Sequence, residues 1–406
     1  MPVRTINHIP WMEIPGVRAV VWALGPEHVR FVGGCVRDFL LGRPNLDVDM
    51  ATPLPPDETM RRLHAAHVRV KPIGIEHGTV VALTSTGQFE ITTLRRDVET
   101  DGRRATVVFT TDWVEDALRR DFTINALSVD PEGRLFDPCG GLADLEAGRV
   151  RFIGDADERI REDVLRLLRF FRFSAWYGRG PMDAAGLAAS ARAAAQLDRL
   201  SGERLSAELH RLLAAPNPAA AVEAMAAHDL LQALTPAQIR PRPLAAFVAL
   251  EASRGLAPTP VARLAAMLPA SADVYAALAE RLRFSRKEAR RLEALARPLP
   301  ALGEDEADIR RRLYRTGDRE LYRLRALLAA ADGDRGDLDK RLGLADGWAW
   351  PKFPIGGLDL VELGVEPGPH LGDILNLVED WWVRRDFAPD RDACLAAIRK
   401  SLAADA

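Results

Sequence analysis

The segments Gly33-Gly34-Cys35-Val36-Arg37-Asp38 and Leu46-Asp47-Val48-Asp49-Met50 decide the fold of the N-terminal part of this chain. The first follows the apolar run Val29 to Val32, so it lies where a strand turns into a helix. The second alternates apolar and polar residues with the period of a half-buried strand, which places its two aspartates on one face. The sequence therefore predicts a strand that carries paired carboxylates close to a glycine turn.

Paired carboxylates and a glycine turn are together suited to binding a metal-loaded phosphate group. Two carboxylates on one face repel each other unless a cation neutralises them, as Asp47 and Asp49 would when they share a divalent ion. Glycine N–H groups at a helix N-terminus attract anions, and Arg37 can grip phosphate oxygens. Each segment alone also fits a simpler interpretation, a solvated turn or a surface ion pair.

A strand pair follows, at Thr79–Leu83 and Phe89–Leu94, with Gly87 in the turn between the two strands. Glu90 lies on the second strand and either faces the aspartates or is an ordinary exposed strand residue. A third carboxylate is what a two-metal nucleotidyl-transfer site requires. The polar, glycine-containing stretch from Arg95 to Thr106 is predicted to be a mobile loop.

Two later segments concentrate arginine beside apolar residues. In the first, Arg119 to Ala126, Arg120 can reach phosphate or ribose, while Asp121 and Asn125 either bond sugar hydroxyls or brace the arginine. A helix-end salt bridge is the alternative. The second is a predicted helix from Ile160 to Phe173. Its polar side carries a repeat of charged residues with a spacing of three along the chain, for which a salt-bridged surface helix is the alternative; these residues are Asp163, Arg166, Arg169 and Arg172.

Composition limits the class of protein. The chain has 406 residues, 55 basic and 58 acidic side chains and a formal net charge of −3, with 48% hydrophobic residues. That is a globular composition, and a near-neutral chain must bind any polyanion through a local patch. No apolar run approaches the ~18–20 residues that a membrane helix needs. The N-terminal residues do not form a signal segment, and three widely spaced cysteines favour a reducing cytoplasm.

Beyond residue 155 the chain is rich in Ala, Leu, Arg and Glu and is interrupted by proline-containing connectors. This pattern predicts an all-helical array behind a small mixed α/β head, an α+β organisation overall. The basic helix start at Ser285–Arg291 either contacts phosphate or is a capped, solvated helix. We expect Trp381 and Trp382 to pack in a core rather than stack on RNA.

The motifs occur in an order and spacing that resemble the class II tRNA nucleotidyltransferases, the CCA-adding enzymes, and the related bacterial poly(A) polymerases. The resemblance covers residues 29–175 and rests on Gly33-Gly34-x-Val36-Arg37-Asp38, Asp47-x-Asp49, Phe89-Glu90-Ile91-Thr92-Thr93, Arg119-Arg120-Asp121-x-Thr123-x-Asn125-Ala126 and Glu162-Asp163-x-x-Arg166-x-x-Arg169-x-x-Arg172. It implies a DNA polymerase β-like nucleotidyltransferase head, residues 1–145, with a mixed sheet and helices. An all-α remainder would follow as a neck (146–215), a body (216–300) and a tail (301–406).

The resemblance also implies a role for each motif. Asp47 and Asp49 would bind Mg²⁺ in a two-metal site and act in catalysis with Glu90. Asp163 and Arg166 would read the base, because a carboxylate beside a guanidinium suits cytosine and adenine and opposes the carbonyl of uracil or guanine. The remaining nucleotide contacts would come from Gly33, Gly34, Arg37, Arg120, Asp121, Asn125, Arg169 and Arg172.

The implied activity is addition of CCA to the 3′ end of tRNA from CTP and ATP, with release of pyrophosphate. The partners would be the tRNA 3′ end with its acceptor and T arms and the nucleoside triphosphates, and no membrane or protein partner is evident. Poly(A) synthesis, addition of only CC or only A, and a non-catalytic RNA-binding relative are the alternatives. The predicted loop Arg95–Thr106, with Asp101-Gly102-Arg103-Arg104 in it, is a candidate for the switch from C to A.

Overall fold

The computed structural model describes residues 1–45, 47–100, 105–232, 234, 239–269, 271–296, 305–334 and 336–404. The loop residues at 101–104, which we considered for the C-to-A switch, lie outside the described part. No helix in the described part is both long enough and apolar enough to cross a membrane.

The strands lie in the first third of the chain. They are β1 (Arg4–Thr5), β2 (Arg30–Val32), β3 (Asp49–Thr52), β4 (Arg69–Pro72), β5 (Thr79–Thr84), β6 (Gly87–Thr93), β7 (Arg95–Thr100), β8 (Ala105–Phe109), β9 (Ser128–Val129) and β10 (Arg134–Phe136).

Helices lie between some of these strands and are the regular elements of the described chain after β10. In the first half they are α1 (Pro15–Leu24), α2 (Gly34–Leu40), α3 (Pro56–Ala65), α4 (Trp113–Leu118), α5 (Gly141–Ala147), α6 (Ala156–Glu162), α7 (Leu165–Tyr177), α8 (Ala184–Arg192) and α9 (Gly202–Leu213). The later helices are α10 (Ala219–Ala227), α11 (Arg242–Ser253), α12 (Pro260–Met267), α13 (Ala272–Arg281), α14 (Arg286–Ala296), α15 (Glu306–Thr316), α16 (Arg319–Ala331), α17 (Leu338–Gly347), α18 (Gly357–Glu362), α19 (His370–Arg384) and α20 (Arg391–Ala404).

The strands form a mixed sheet in the order β1-β10-β9-β2-β3-β6-β5-β4, while β7 and β8 form a separate ribbon. The pairing of β3 with β6 is parallel, and the other described pairs are antiparallel. In the parallel pair Asp49 lies opposite Glu90. Parallel strands need a crossover connection, which α3, β4 and β5 supply here, and it brings two distant carboxylates to neighbouring strands.

Apolar residues on one face of each element build the core of the sheet region. Phe31, Met50 and Ile91 come from three adjacent strands and are almost fully buried. On α7, Leu167, Leu168 and the adjacent Phe170 and Phe171 are buried, as its amphipathic pattern predicts. The mixed sheet with its helices confirms the predicted α+β class.

The described chain divides into two compact units. The first consists of Met1–Pro241, Pro258–Pro260 and Ala277–Phe284, and the second of Arg242–Ala257, Val261–Ala276 and Ser285–Ala406. The second unit has its own apolar cores, one of which contains Trp382 and a second of which contains Tyr322. The prediction that Trp382 packs in a core is thereby confirmed. The four-part division at residues 145, 215 and 300 stays a prediction.

Three predicted elements differ from the structure. The stretch from Arg95 to Thr106 is not simply a loop, because its two ends pair as β7 and β8 and satisfy each other's backbone groups. The strand with the paired aspartates begins only at Asp49, and Asp47 precedes it. The predicted continuous helix over Ile160–Phe173 is broken at Asp163, which has extended backbone between α6 and α7.

Candidate active site

A cavity of about 900 Å³ opens within the first unit, beside β3, β6 and α7. Every site residue that the sequence predicted lines it: Gly33, Gly34, Arg37, Asp47, Asp49, Glu90, Arg120, Asp121, Asn125, Asp163, Arg166, Arg169 and Arg172. These residues come from segments up to 139 positions apart (172 − 33), so the fold has assembled the motifs at one place.

The glycine turn forms one wall of the cavity. Gly33 lies directly before α2 and has φ of 70° and ψ of −124°, a conformation that side chains other than hydrogen disfavour. A Cβ on Gly33 would lie 3.4 Å from Nη1 of Arg120. The two glycines therefore leave the backbone at the start of α2 open to the cavity, close to a guanidinium group.

Arg37 is held more tightly than the sequence indicated. Its Nε and Nη2 donate to the carboxylate of Asp38, Nη1 donates to Oδ1 of Asn125 at 2.6 Å, and Nη2 also donates to the hydroxyl of Tyr177 at 2.6 Å. The guanidinium also stacks on the ring of Tyr177. Of its five N–H groups, four are thus used within the described protein, which leaves about one donor for a ligand.

The acidic face consists of Asp47, Asp49 and Glu90. Burial raises the pKa of Asp49 to about 6, and the negative charges of Asp47 and Glu90 add to this effect, while Arg120 opposes it. Asn45 joins the acidic face to α2, because its amide donates to Asp38 at 2.8 Å and its Oδ1 accepts the backbone N–H of Asp47 at 2.9 Å. The raised pKa of Asp49 reports a concentration of negative charge that a cation would relieve.

The chemistry of these donors fits magnesium. Mg²⁺ prefers oxygen ligands and is usually held by one or two carboxylates together with substrate phosphates. In the described residues, no group of three or more His, Cys, Asp or Glu side chains is arranged to hold an ion. Asp47 and Asp49 line the cavity side by side with Glu90 and are the carboxylates that fit such an ion.

Arg120 lies beside the glycine turn and is fixed by a residue of α4. Its Nη2 donates to Asp116 at 3.1 Å and its Nη1 to the backbone carbonyl of Asn125. Asp116 also accepts from Arg119 at 2.8 Å. Although burial alone would raise the pKa of Asp116, the two arginines lower it overall, so the carboxylate is well suited to hold both.

Asp121 and Asn125 brace arginines. Oδ2 of the nearly buried Asp121 accepts from Nε and Nη2 of Arg169, at 2.7 and 2.6 Å. Its Oδ1 accepts from Asn125, which in turn binds Arg37. Burial would raise the pKa of Asp121, but the charge of Arg169 and these hydrogen bonds lower it overall. The arginines that these side chains brace are Arg169 and Arg37. The sequence pointed instead to Arg120, whose hydrogen bond to Asn125 goes to the backbone carbonyl. Bonding to sugar hydroxyls stays a prediction.

Asp163 and Arg166 do not pair with each other. Both oxygens of Asp163 lie 2.9 Å from Nη2 of Arg204, which is on α9. Arg166 instead donates to Glu162 and to the backbone carbonyls of Arg159 and Arg119. The two predicted base-reading groups therefore line the same cavity but are each anchored by a different neighbour.

Arg172 is anchored by a buried acid on α9. Its Nε donates to Glu208 at 2.6 Å, and Glu208 also accepts from Arg211. Burial lowers the pKa of Arg172, although the charge of Glu208 opposes the effect. This pairing leaves Arg172 with a double role, as a cavity residue and as a link between α7 and α9.

Sequence reasoning missed several residues that line the cavity or support it. Asp116 could have been found from its spacing of three and four to Arg119 and Arg120, which directly follow α4. Arg204 and Glu208 had no local signal, because they are 41 and 36 positions from their partners. Other lining residues that were not predicted are Val32, Met50, Ala51, Thr92, Arg95, Arg119, Leu165, Phe173 and Arg211.

Two sequence families match this chain. The family described as "Poly A polymerase head domain" matches residues 29–151, and "Probable RNA and SrmB- binding site of polymerase A" matches residues 182–240. The first match contains the glycine turn and the acidic face, and it ends before α6.

Individual relatives cover most of the chain. The protein "CCA tRNA nucleotidyltransferase 1, mitochondrial" of Danio rerio is 36% identical over 390 residues, which cover 92% of this chain and 87% of the relative. The Mus musculus protein of the same name is 33% identical with the same coverage. A "CCA-adding enzyme" of Streptococcus pyogenes serotype M3 is 45% identical over 199 residues, or 48% of each chain.

Solved structures share the fold. The Bacillus stearothermophilus CCA-adding enzyme in complex with CTP has a TM-score of 0.71 at 24% identity, covering 98% of this chain and 99% of the other. The Thermotoga maritima CCA-adding enzyme complexed with tRNA has a TM-score of 0.70 at 21% identity, covering 99% and 100%. Because sequence identity, coverage, fold and the assembled motifs agree, this chain belongs to the CCA tRNA nucleotidyltransferase family.

Proposed function

We propose that this enzyme adds C, C and A to the 3′ end of tRNA, using CTP and ATP and no nucleic-acid template. The observation that carries the proposal is that one cavity combines an acidic face, a glycine turn and an acid–arginine set beside α7. Family membership supports the same reaction, since relatives named CCA tRNA nucleotidyltransferase match over 92% of the chain.

The chemistry is an attack by the 3′-hydroxyl oxygen of the RNA on the α-phosphorus of the nucleotide. The new O–P bond forms as the bond from the α-phosphorus to the bridging oxygen breaks, and pyrophosphate leaves while the hydroxyl proton passes to water. Asp47 and Asp49 would hold Mg²⁺, and Glu90 would complete the acidic face. When bound, Mg²⁺ supplies positive charge that lowers the pKa of the hydroxyl and holds the triphosphate.

The rest of the triphosphate site follows from the glycine turn. The backbone N–H of Gly33 donates to the carbonyl of Leu127, so at the glycine turn we assign phosphate contact to Gly34, which lines the cavity at the start of α2. Arg37 keeps about one free donor, and Arg120 lies beside Gly33. These groups would position the phosphates for in-line transfer, so that the protein contributes orientation and charge stabilisation rather than a nucleophile.

Base selection would come from Asp163 and Arg166. A carboxylate accepts the exocyclic amino group of cytosine or adenine, and a guanidinium donates to the neighbouring ring nitrogen. Uracil and guanine present a carbonyl where the amino group should be, and two opposed acceptors in a partly desolvated site are costly. Arg169 and Arg172 would complete this wall, braced by Asp121 with Asn125 and by Glu208 respectively.

The helical remainder would hold the tRNA. In the proposed division, residues 146–215 form the neck, 216–300 the body and 301–406 the tail, and duplex RNA would be bound through its phosphates and shape. We also propose a cytoplasmic location. Because the relatives from Danio rerio and Mus musculus are named mitochondrial, fractionation of the producing cells is the test.

The proposed reaction is tested with purified protein, Mg²⁺ and tRNA that ends at the discriminator base. Labelled CTP alone should give two additions, ATP alone none, and the mixture a CCA end. Incorporation that needs no tRNA, long A tails from ATP alone, or a product that stops at CC would replace full CCA addition with poly(A) synthesis or partial addition.

Base reading is tested separately with Asp163→Ala. The variant should lose discrimination against UTP by about tenfold, since a good base contact is worth ~1–3 kcal/mol. Mg²⁺ dependence should stay as in the parent protein. Unchanged discrimination in this variant would contradict the role of Asp163.

A further inference from the structure

The ion pair between Arg204 and Asp163 has no role in the proposed function, although it holds the residue that we assign to base selection. Nη2 of Arg204 lies 2.9 Å from Oδ1 and 2.9 Å from Oδ2 of Asp163. Asp163 lines the cavity, whereas Arg204 is not among the residues that line it. Arg204 therefore reaches the carboxylate without forming part of the cavity wall.

Asp163 needs such a partner because of its position in the chain. It ends α6 with φ of −151° and ψ of 108°, and α7 begins only at Leu165. A residue in a break between two helices lacks the packing that orients side chains within a helix. Among the described residues, the one further hydrogen bond to its carboxylate comes from the backbone N–H of Leu165, which donates to Oδ1 at 3.1 Å.

Arg204 itself is on a firmly placed helix. It lies in the first turn of α9, whose N-cap Ser201 accepts the backbone N–H of Arg204. A Cβ on Gly202 would lie 2.3 Å from the backbone carbonyl oxygen of Arg281, so the start of α9 packs directly on that backbone. Along α9, Leu205 and Leu209 are buried, and Glu208 is paired with Arg172 of α7.

The two oxygens of Asp163 are not equivalent. Oδ1 accepts from Arg204 and from Leu165, while Oδ2 accepts only from Arg204 among the hydrogen bonds of the described chain. A carboxylate oxygen has two lone pairs. Oδ2 therefore keeps acceptor capacity for an amino group after the ion pair has formed.

We propose that Arg204 is a positioning residue for nucleotide selection: it ties Asp163 to α9 and orients Oδ2 as the acceptor for the amino group of cytosine or adenine. The inference rests on the proposed base-reading role of Asp163. Arg204 acts through Asp163 and touches no substrate. It sets which base is accepted, and the transfer step itself uses other residues.

The test compares Arg204→Met, which keeps the apolar stem, with the parent protein. With tRNA lacking CCA, kcat/KM is measured for CTP and for UTP. The CTP/UTP ratio should fall by about tenfold, mostly through a higher KM for CTP, while kcat at saturating CTP changes less. Arg204→Lys keeps the charge but not the planar group. Its CTP/UTP ratio should lie between those of the parent and of Arg204→Met.

A double variant separates positioning from an independent effect. If Arg204 acts through Asp163, adding Arg204→Met to Asp163→Ala should leave the CTP/UTP ratio of Asp163→Ala unchanged. Ratios that multiply would overturn the proposal. Arg192→Ala is the matched control, because it removes another Arg–Asp pair, Arg192 with Asp157, from outside this cavity. Its ratio should equal that of the parent.

The outcomes distinguish this inference from the proposed function. If the CTP/UTP ratio falls in Asp163→Ala but stays parental in Arg204→Met, the role of Arg204 is overturned and base reading by Asp163 is retained. If the CTP/UTP ratio of Asp163→Ala equals that of the parent, both the base-reading role of Asp163 and this inference are overturned. Should Arg204→Met fail to fold by circular dichroism, Arg204→Lys decides, and a parental CTP/UTP ratio in that variant overturns the proposal.

Discussion

Asp49 combines two properties that rarely occur together in a structural residue: it is partly buried and it is surrounded by like charge. Its pKa is raised to about 6 by burial and by the charges of Asp47 and Glu90. Burial and the neighbouring charges both disfavour the ionised form of Asp49, so its carboxylate is not placed there for stability. We therefore propose that the cluster serves to bind a cation.

Replacing Asp49 tests separately what its carboxylate contributes to activity and what it contributes to stability. Asp49→Asn should lower CCA addition by at least about a hundredfold, since it removes a carboxylate that we propose as a ligand of Mg²⁺. The melting temperature without added metal should not fall, because the change removes one of three like charges. Activity within tenfold of the parent, or a clearly lower melting temperature, would contradict this account.

The Asp121–Arg169 pair has the opposite character and contributes to stability. Asp121→Asn keeps the shape of the side chain but leaves Arg169 without its charge partner, at a cost of about 3 kcal/mol in the free energy of unfolding at pH 7. The folded-state pKa of Asp121 lies below its ordinary value of 3.8. The stabilisation is therefore present above pH 3.8 and is lost as the pH falls through the lower, folded-state pKa.

Urea denaturation of the parent and of Asp121→Asn between pH 7 and pH 3 checks this sign. The difference between the two proteins should be constant down to about pH 4 and then shrink. Asp157→Asn is the matched control, because it removes an exposed ion pair with Arg192 and should change stability far less. A difference that grows on acidification would reverse the assignment.

Among the secondary-structure elements, a close backbone contact helps to determine where site residues lie. Gly141 begins α5, and a Cβ there would lie 2.1 Å from the carbonyl oxygen of Thr123. The turn Thr123–Asn125 in turn carries Asn125, which binds both Arg37 and Asp121. The close approach of α5 to this turn thus determines where two cavity residues lie.

Gly141→Ala should therefore lower the free energy of unfolding by about 2 kcal/mol and also reduce the rate of CTP incorporation, because the turn must shift. Urea denaturation and the incorporation assay measure the two effects. Gly343→Ala is the control: it lies within α17, and a Cβ there would meet no described atom within 4 Å beyond its own helix backbone and chain neighbours. It should stabilise by about 0.5–1 kcal/mol. Equal effects at the two glycines would refute the packing argument.

Much of this arrangement is local information and could be predicted from sequence. The period of two around Asp47 and Asp49 was sufficient to place Asp49 on a strand, although Asp47 lies just before that strand, and the apolar stripe placed the arginines on α7. The break at Asp163 was not predictable from periodicity, because the apolar pattern continues through it. The partner of Asp163 was equally hidden, since Arg204 is 41 positions away and no local pattern links the two.

The prediction for Arg95–Thr106 failed for a different reason. Polar residues and a glycine indicate a loop when each residue is considered alone, but β7 and β8 pair with each other across the segment. Such a ribbon is stabilised mainly by hydrogen bonds between its own strands, which residue composition does not report. Strand pairing depends on two segments together, so it cannot be predicted from the composition of one segment.

For the molecule as a whole, the division into two units predicts where each substrate binds. All residues that line the nucleotide cavity lie between Val32 and Arg211, within the first unit. The second unit is helical and contains the basic helix α14, which has Arg286, Lys287 and Arg290 in its first two turns. Nucleotide and tRNA should therefore leave different footprints on the chain.

Hydrogen exchange followed by mass spectrometry tests this expectation. CTP at ten times its Kd, with Mg²⁺, should slow exchange by up to about tenfold in peptides from the cavity and leave peptides of the second unit unchanged. A tRNA lacking CCA should add protection in the second unit, and the Asp49→Asn protein should keep that tRNA footprint while losing most of the CTP footprint. Protection by CTP throughout the second unit would contradict the separate footprints that we expect. Absence of any tRNA footprint in the second unit would remove that unit as a tRNA-binding part and leave only the helices of the first unit.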